Sequence, residues 1–204
     1  MGSPEGLALD LAVTIRHDGH GGVADDLATP DGLTLWVRAH ADALGADVGA
    51  DGFTADEEVR VAVVAVRTAV RTLFARAVRP GPPSSADAGR LPSAGEALER
   101  LNAASARVPV SPCLDWPDEG LPVASHHVRE GAVESERLAA ALARSAIAFL
   151  AGPRRELLRA CPAPRCVRYF VKEHARQEWC KPSCGNRARV ARHHARRKEG
   201  QPPG

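Results

Sequence analysis

With 204 residues the chain is long enough for one good core plus a small appended module. A quarter of its residues are charged and 44% are hydrophobic, while aromatics make up only 4%, so an α-rich core of small and medium side chains is expected. No apolar run approaches the ~18 residues that span a bilayer, and the N-terminus lacks the basic region of a signal peptide. The expectation is a soluble, cytoplasmic protein with no membrane partner.

In chain order, "LALDLAVTIRHDG" (7–19) places apolar residues at 7, 9, 11, 13 and 15, which predicts a strand closed by Asp18-Gly19. Residues 29–44 predict a helix with Thr29 as N-cap, Pro30 in the first turn, and Leu33, Trp36, Val37 and Leu44 on one face. The longest helix is predicted over 54–78. Thr54 and Glu57 form a capping-box pattern there, and Val59, Val63, Val66, Val70 and Phe74 recur at helical spacing.

The run Pro80-Gly81-Pro82-Pro83-Ser84-Ser85 ends that helix in a loop. A second capping box, Ser93 with Glu96, opens a helix to about Ala106. Residues 107–116 and 121–128 read as a β-hairpin with Cys113 as a buried small residue, and an alanine-rich helix follows from about Ala132 to Leu150. After Gly152-Pro153 a short helix is expected to lead to Cys161. The predicted fold class is mainly α with a few strands, with an α-rich domain over 1–152 and a small second module over 153–204.

Four of the five cysteines fall in the pattern Cys161-x4-Cys166-x13-Cys180-x3-Cys184. In a reducing compartment such clustering argues for metal rather than disulfides. Two close pairs separated by enough chain for a hairpin suit tetrahedral Zn²⁺ with four thiolates. Prolines stiffen the first pair, "VRYFV" (167–171) predicts a strand, and the second pair opens a helix whose N-terminal dipole favours thiolate. Knuckle, hairpin and then a ligand-bearing helix is the order of a treble-clef finger. Its site would be closed and structural, and a module with only Tyr169, Phe170 and Trp179 as large core residues needs such a staple. His174, His193 or His194 in place of one cysteine is the alternative ligand set.

The segment from Arg159 to Arg197 resembles the CGNR zinc-finger family, whose name repeats Cys184-Gly185-Asn186-Arg187, and it carries Phe170 and the Trp179-Cys180 pair as that family does. The order of elements over 1–150 resembles the ABATE domain that precedes the finger in such proteins. The resemblance implies a stress-induced transcription regulator.

Net charge is only +2, but residues from Pro153 onward hold 14 basic against 4 acidic residues and balance at +10, leaving 1–152 at −8. That segregation accompanies nucleic-acid binding. On a helix over 187–198, Arg189, Arg192, His193 and Arg196 share one face, while Ala188, Ala191 and Ala195 form another that can pack on the finger. Arg187, Arg189, Arg192, His193, Arg196, Arg197 and Lys198 are the candidate nucleic-acid contacts, with double-stranded DNA the expected partner; RNA or an acidic protein would use the same chemistry. Gly185 and Asn186 are expected to shape the helix entry. One finger is small for a defined operator, which favours a homodimer.

The sequence contains no Gly-rich phosphate loop, nucleophile elbow or HExxH pattern, so no enzyme is expected. His126 and His127 would point to opposite faces of a strand, and His17 and His20 read as loop residues. A small-molecule signal on the N-terminal domain, reported to DNA by the finger, combines both halves. The rival is a zinc-stabilised protein-interaction or ligand-sensing module that does not bind nucleic acid.

Overall fold

The structure is a computed structural model that describes residues 6–20, 22–45, 48–87, 89–128 and 133–199. The predicted start of the alanine-rich helix at Ala132 lies outside them.

The first element departs from expectation. Leu7–Ala12 is a helix (α1), and only Ile15–His17 (β1) is extended. Leucine and alanine favour helix, and Leu7, Ala8, Leu11 and Ala12 are buried at a helical spacing that the period-two count overlooked. The free carbonyls at its end are satisfied from outside the helix. Thr14 Oγ1 donates to Leu11 O at 2.7 Å, and Arg71 Nη1 donates to Ala12 O at 2.5 Å.

β1 pairs antiparallel with Val23–Asp25 (β2), Ile15 facing Asp25. Helix α2, Pro30–Ala39, is capped by Thr29, whose hydroxyl accepts from Gly32 N at 3.1 Å, and α3, Ala41–Leu44, continues it. Helix α4 runs Glu57–Ala77, and its N-cap is Asp56, accepting from Val59 N at 2.8 Å, rather than Thr54. The chain stays extended before Asp56 because Ala55 N donates to Thr34 Oγ1 on α2, which delays the helix.

Helix α5, Ala94–Arg107, opens on the expected capping box, with Glu96 N donating to Ser93 Oγ and Ser93 N to Glu96 Oε2. Strands β3, Val110–Asp115, and β4, Val123–Val128, form the predicted hairpin, Val110 facing Val128. Most of it is exposed, and Cys113 is half-buried rather than buried. Helix α6 spans Glu134–Ala151. A 3₁₀ turn, Pro153–Leu157, then enters β5, Leu158–Ala160, which pairs antiparallel with β6, Tyr169–Val171. Helix α7, Pro182–Glu199, ends the described chain.

α4 is the central rod, packed by α1, α5 and α6. Its Val59, Val63, Val66, Val70 and Phe74 are buried as predicted. Phe74 meets Phe149 of α6 at 5.2 Å and the ring of Tyr169 edge-on at 5.5 Å, so β6 contributes to the same core as the helices. A second apolar cluster gathers Cys161, Ala163, Cys166, Phe170 and Cys184, with Trp179 against it.

Two arginines break the apolar stripe of α4. Both are buried and answered by acids. Arg67 grips Asp25 with two hydrogen bonds, of 2.5 and 2.7 Å, and also donates to Thr14 Oγ1. Arg71 donates to Asp87 at 2.8 Å, to Ser84 Oγ and to Val167 O. Among the described residues no helix is long and apolar enough to cross a membrane.

Candidate metal centre and basic helix

The knuckle between the first two cysteines is a tight turn. Cys166 N donates to Ala163 O at 2.9 Å, and Arg165 takes the left-handed φ of 63° that lets the chain double back. Cys161 N donates to Arg168 O at 3.0 Å, which closes the turn onto the β5–β6 pair. The hairpin therefore flanks the knuckle instead of following it, and the return arm after Val171 contains no strand. Cys180 sits just before α7, and Cys184 lies in the first turn of α7, buried, with its N–H donating to Lys181 O.

The four Sγ atoms lie within 4.8 Å of one another, with 3.7 Å between Cys166 and Cys180 and 3.5 Å between Cys180 and Cys184. A tetrahedron of thiolates ~2.3 Å from its centre has edges of about 3.8 Å, so the spacing suits zinc. Crowding splits the thiols. Hydrogen bonds from Cys166 and Cys180 hold Cys161 down to about 2, whereas Cys166, bonded to Cys161, is pushed up to about 11, and Cys180 is pushed up as well. Four thiolates so close need a multivalent cation among them. The four cysteines predicted from spacing are thus brought together, and His174, His193 and His194 are all exposed. A closed four-sulfur site has no open coordination position, which fits it for holding structure.

Gly185 is where the finger core meets α7: a Cβ there would lie 3.0 Å from Trp179 Cδ1, so glycine admits the indole. Asn186 Oδ1 accepts from Arg189 Nη2. Arg187, another of the nucleic-acid candidates, lies at the start of α7 beside the cysteines. It is half-buried, and its Nη2 donates to Cys184 Sγ at 3.1 Å. Arg189, Arg192, His193 and Arg196 are exposed along one side of α7, while the side chains of Arg197 and Lys198 lie outside the described ones. Ala188 is buried as expected and Ala191 is exposed, while the side chain of Ala195 lies outside the described ones. His17, His20, His126 and His127 do not join the cysteine cluster.

Sequence reasoning missed the residues that bind the knuckle to the body. Ser84 Oγ donates to Val167 O at 2.8 Å and Ser85 Oγ to Cys166 O at 3.4 Å, both from the proline-rich loop after α4. Tyr169 donates to Asp87 at 2.7 Å, and burial together with that bond pushes its hydroxyl well above the usual tyrosine range. Arg71 was missed too, and its signal was a charge among the apolar positions of a long helix.

Residues 5–153 match the family model ABATE, described as "Putative stress-induced transcription regulator", and residues 157–197 match the CGNR zinc finger. The chain belongs to the ABATE family. Its CGNR finger follows directly, and with the four-cysteine cluster it takes one structural Zn²⁺. Both ABATE and CGNR descriptions are of regulator and zinc-finger type rather than of enzymes. A search of curated proteins returns no match.

Proposed function

We propose that this ABATE protein is a cytoplasmic, DNA-binding transcriptional regulator without catalytic activity. Cys161, Cys166, Cys180 and Cys184 hold its zinc, and the exposed side of α7 contacts phosphate. The observation that carries this reading is the row Arg189, Arg192, His193 and Arg196, left in solvent on a helix whose start is fixed by two of the cysteines. Arginine suits the task because its fork matches phosphate and its charge is permanent. Arg187, which also donates to Cys184 Sγ, and Arg197 and Lys198 extend the basic run at either end.

Residues 1–152 form the regulatory part in this reading and 153–204 the DNA-reading part. A signal bound by the first is passed through Arg71, Ser84 and Asp87, which touch the finger directly. A homodimer would supply the second half-site that one small finger lacks.

The test is fluorescence anisotropy of a labelled mixed-sequence duplex titrated with zinc-loaded protein, beside the variant R189A/R192A/R196A. Salt-dependent binding by the parent and its loss in the variant is expected. Equal binding by both would overturn the assignment of the α7 face. No binding at low salt by the fully zinc-loaded parent would favour the rival reading of a protein-interaction module.

A further inference from the structure

A cavity of about 880 Å³ opens where the last turn of α4 meets α5, the end of α6 and the 3₁₀ turn before β5. Its floor is aliphatic. Leu73 and Val78 are buried, Leu150 is half-buried, and Leu98 is 44% exposed. Its rim is basic: Arg76, Arg79, Arg155 and Arg159 line it, and among the described lining residues Glu156 supplies the one carboxylate. Arg159 spends Nη1 on the carbonyls of Glu156 and Leu158, each at 2.7 Å. None of Arg76, Arg79 and Arg155 has a salt-bridge partner among the described residues.

A helix C-terminus favours one or two basic side chains near its last carbonyls. Four guanidiniums around one apolar hollow exceed that need. Exposed leucine beside arginines without an ion-pair partner is matched by one molecule with an acid head and an apolar body. The volume lies in the range of small-molecule sites, ~300–1,000 Å³. Among the described residues no aromatic side chain lines it, so a base or other ring finds no stacking platform there. The geometry points to a binding site for a medium-chain aliphatic carboxylate, with the arginines pairing the acid group and the leucines covering the chain.

The walls of this cleft are also the two routes to the finger. Arg79, Pro80 and Gly81 lead into the loop whose Ser84, Ser85 and Asp87 hold Val167, Cys166 and Tyr169. Arg155, Glu156 and Arg159 lead through β5 to Cys161, and Leu157 O accepts from Lys172 N at 2.9 Å on the far side of the hairpin. A ligand that draws the two walls together would shift the seat of the finger. Binding stands without the regulatory reading above, and only its effect on DNA rests on that reading.

Titration calorimetry of the full zinc-loaded chain with decanoate, decan-1-ol and acetate tests the site. Decanoate should bind with one-to-one stoichiometry, with the alcohol and the short acid about tenfold weaker or more. R79Q/R155Q should bring decanoate down to the level of the alcohol, and Leu98→Asp should weaken it as well. The charge-matched R90Q/R176Q should not change it. Decanoate binding no tighter than decan-1-ol, or falling equally in R90Q/R176Q, would overturn the proposal. Duplex anisotropy with and without saturating decanoate separates the two readings. An unchanged DNA affinity beside intact decanoate binding leaves the site in place and removes the signalling role.

Discussion

Arg71 is about as enclosed as any side chain here, at 1% exposure, and every nitrogen of its guanidinium donates. A buried charge stripped of its partner keeps its desolvation cost and loses the compensation, so Asp87→Ala or Arg71→Ala should destabilise by ~3–5 kcal/mol. Urea unfolding of the zinc-loaded chain measures this, and a change below 1 kcal/mol would mean that the network is dispensable. Arg67 and Asp25 give a prediction in pH. Burial alone would raise Asp25, but the hydrogen bonds and charge of Arg67 outweigh it and hold the carboxyl below its ordinary range. A lowered folded pKa adds stability above the unfolded value, and that stability is lost as pH falls through the folded one. Melting temperature should therefore fall more steeply below pH ~4 in the parent than in Asp25→Asn, and parallel profiles would contradict the pairing.

At the scale of elements, α7 depends on what lies under its first turn. Gly185→Val would set branched carbons against the Trp179 indole, an overpacking that typically costs ~1–3 kcal/mol. Faster zinc loss to a chelator is the readout, and an unchanged rate would show that the ring moves aside freely. Replacing Cys161, Cys166, Cys180 or Cys184 by Ser should lose zinc and unfold the finger, whereas Cys113→Ser should keep full zinc content by mass spectrometry. Equal zinc in all five variants would remove the site.

The elements that could be read from sequence are those whose local chemistry and tertiary setting agree. The Ser93 capping box opens α5, Val59 to Phe74 repeat at helical spacing, and the cysteine pairs lie where a metal would gather them. α1 was misread because six residues give periodicity too little length, and its helical state depends on Thr14 and on Arg71 from a distant helix. The α4 cap moved from Thr54 to Asp56 through a bond to Thr34 that lies 21 positions away. The loop serines holding the knuckle act across more than 80 residues, and no local pattern reveals that.

The whole molecule segregates charge, +10 beyond Pro153 against −8 before it, yet joins the halves through one core and one buried network. A finger seated in this way would carry its basic helix at an angle set by the body, and the proposed regulation would act through that seat. The central claim is that α7 grips DNA through its exposed arginines. The most direct test is the salt dependence of duplex affinity for the zinc-loaded parent and for R189A/R192A/R196A. With about five phosphates neutralised, the parent should give a slope of log K against log salt near −4 to −5, and removing three contacts should make it shallower by roughly 2.7. The same slope in both proteins would show that DNA, if bound, is held by another surface.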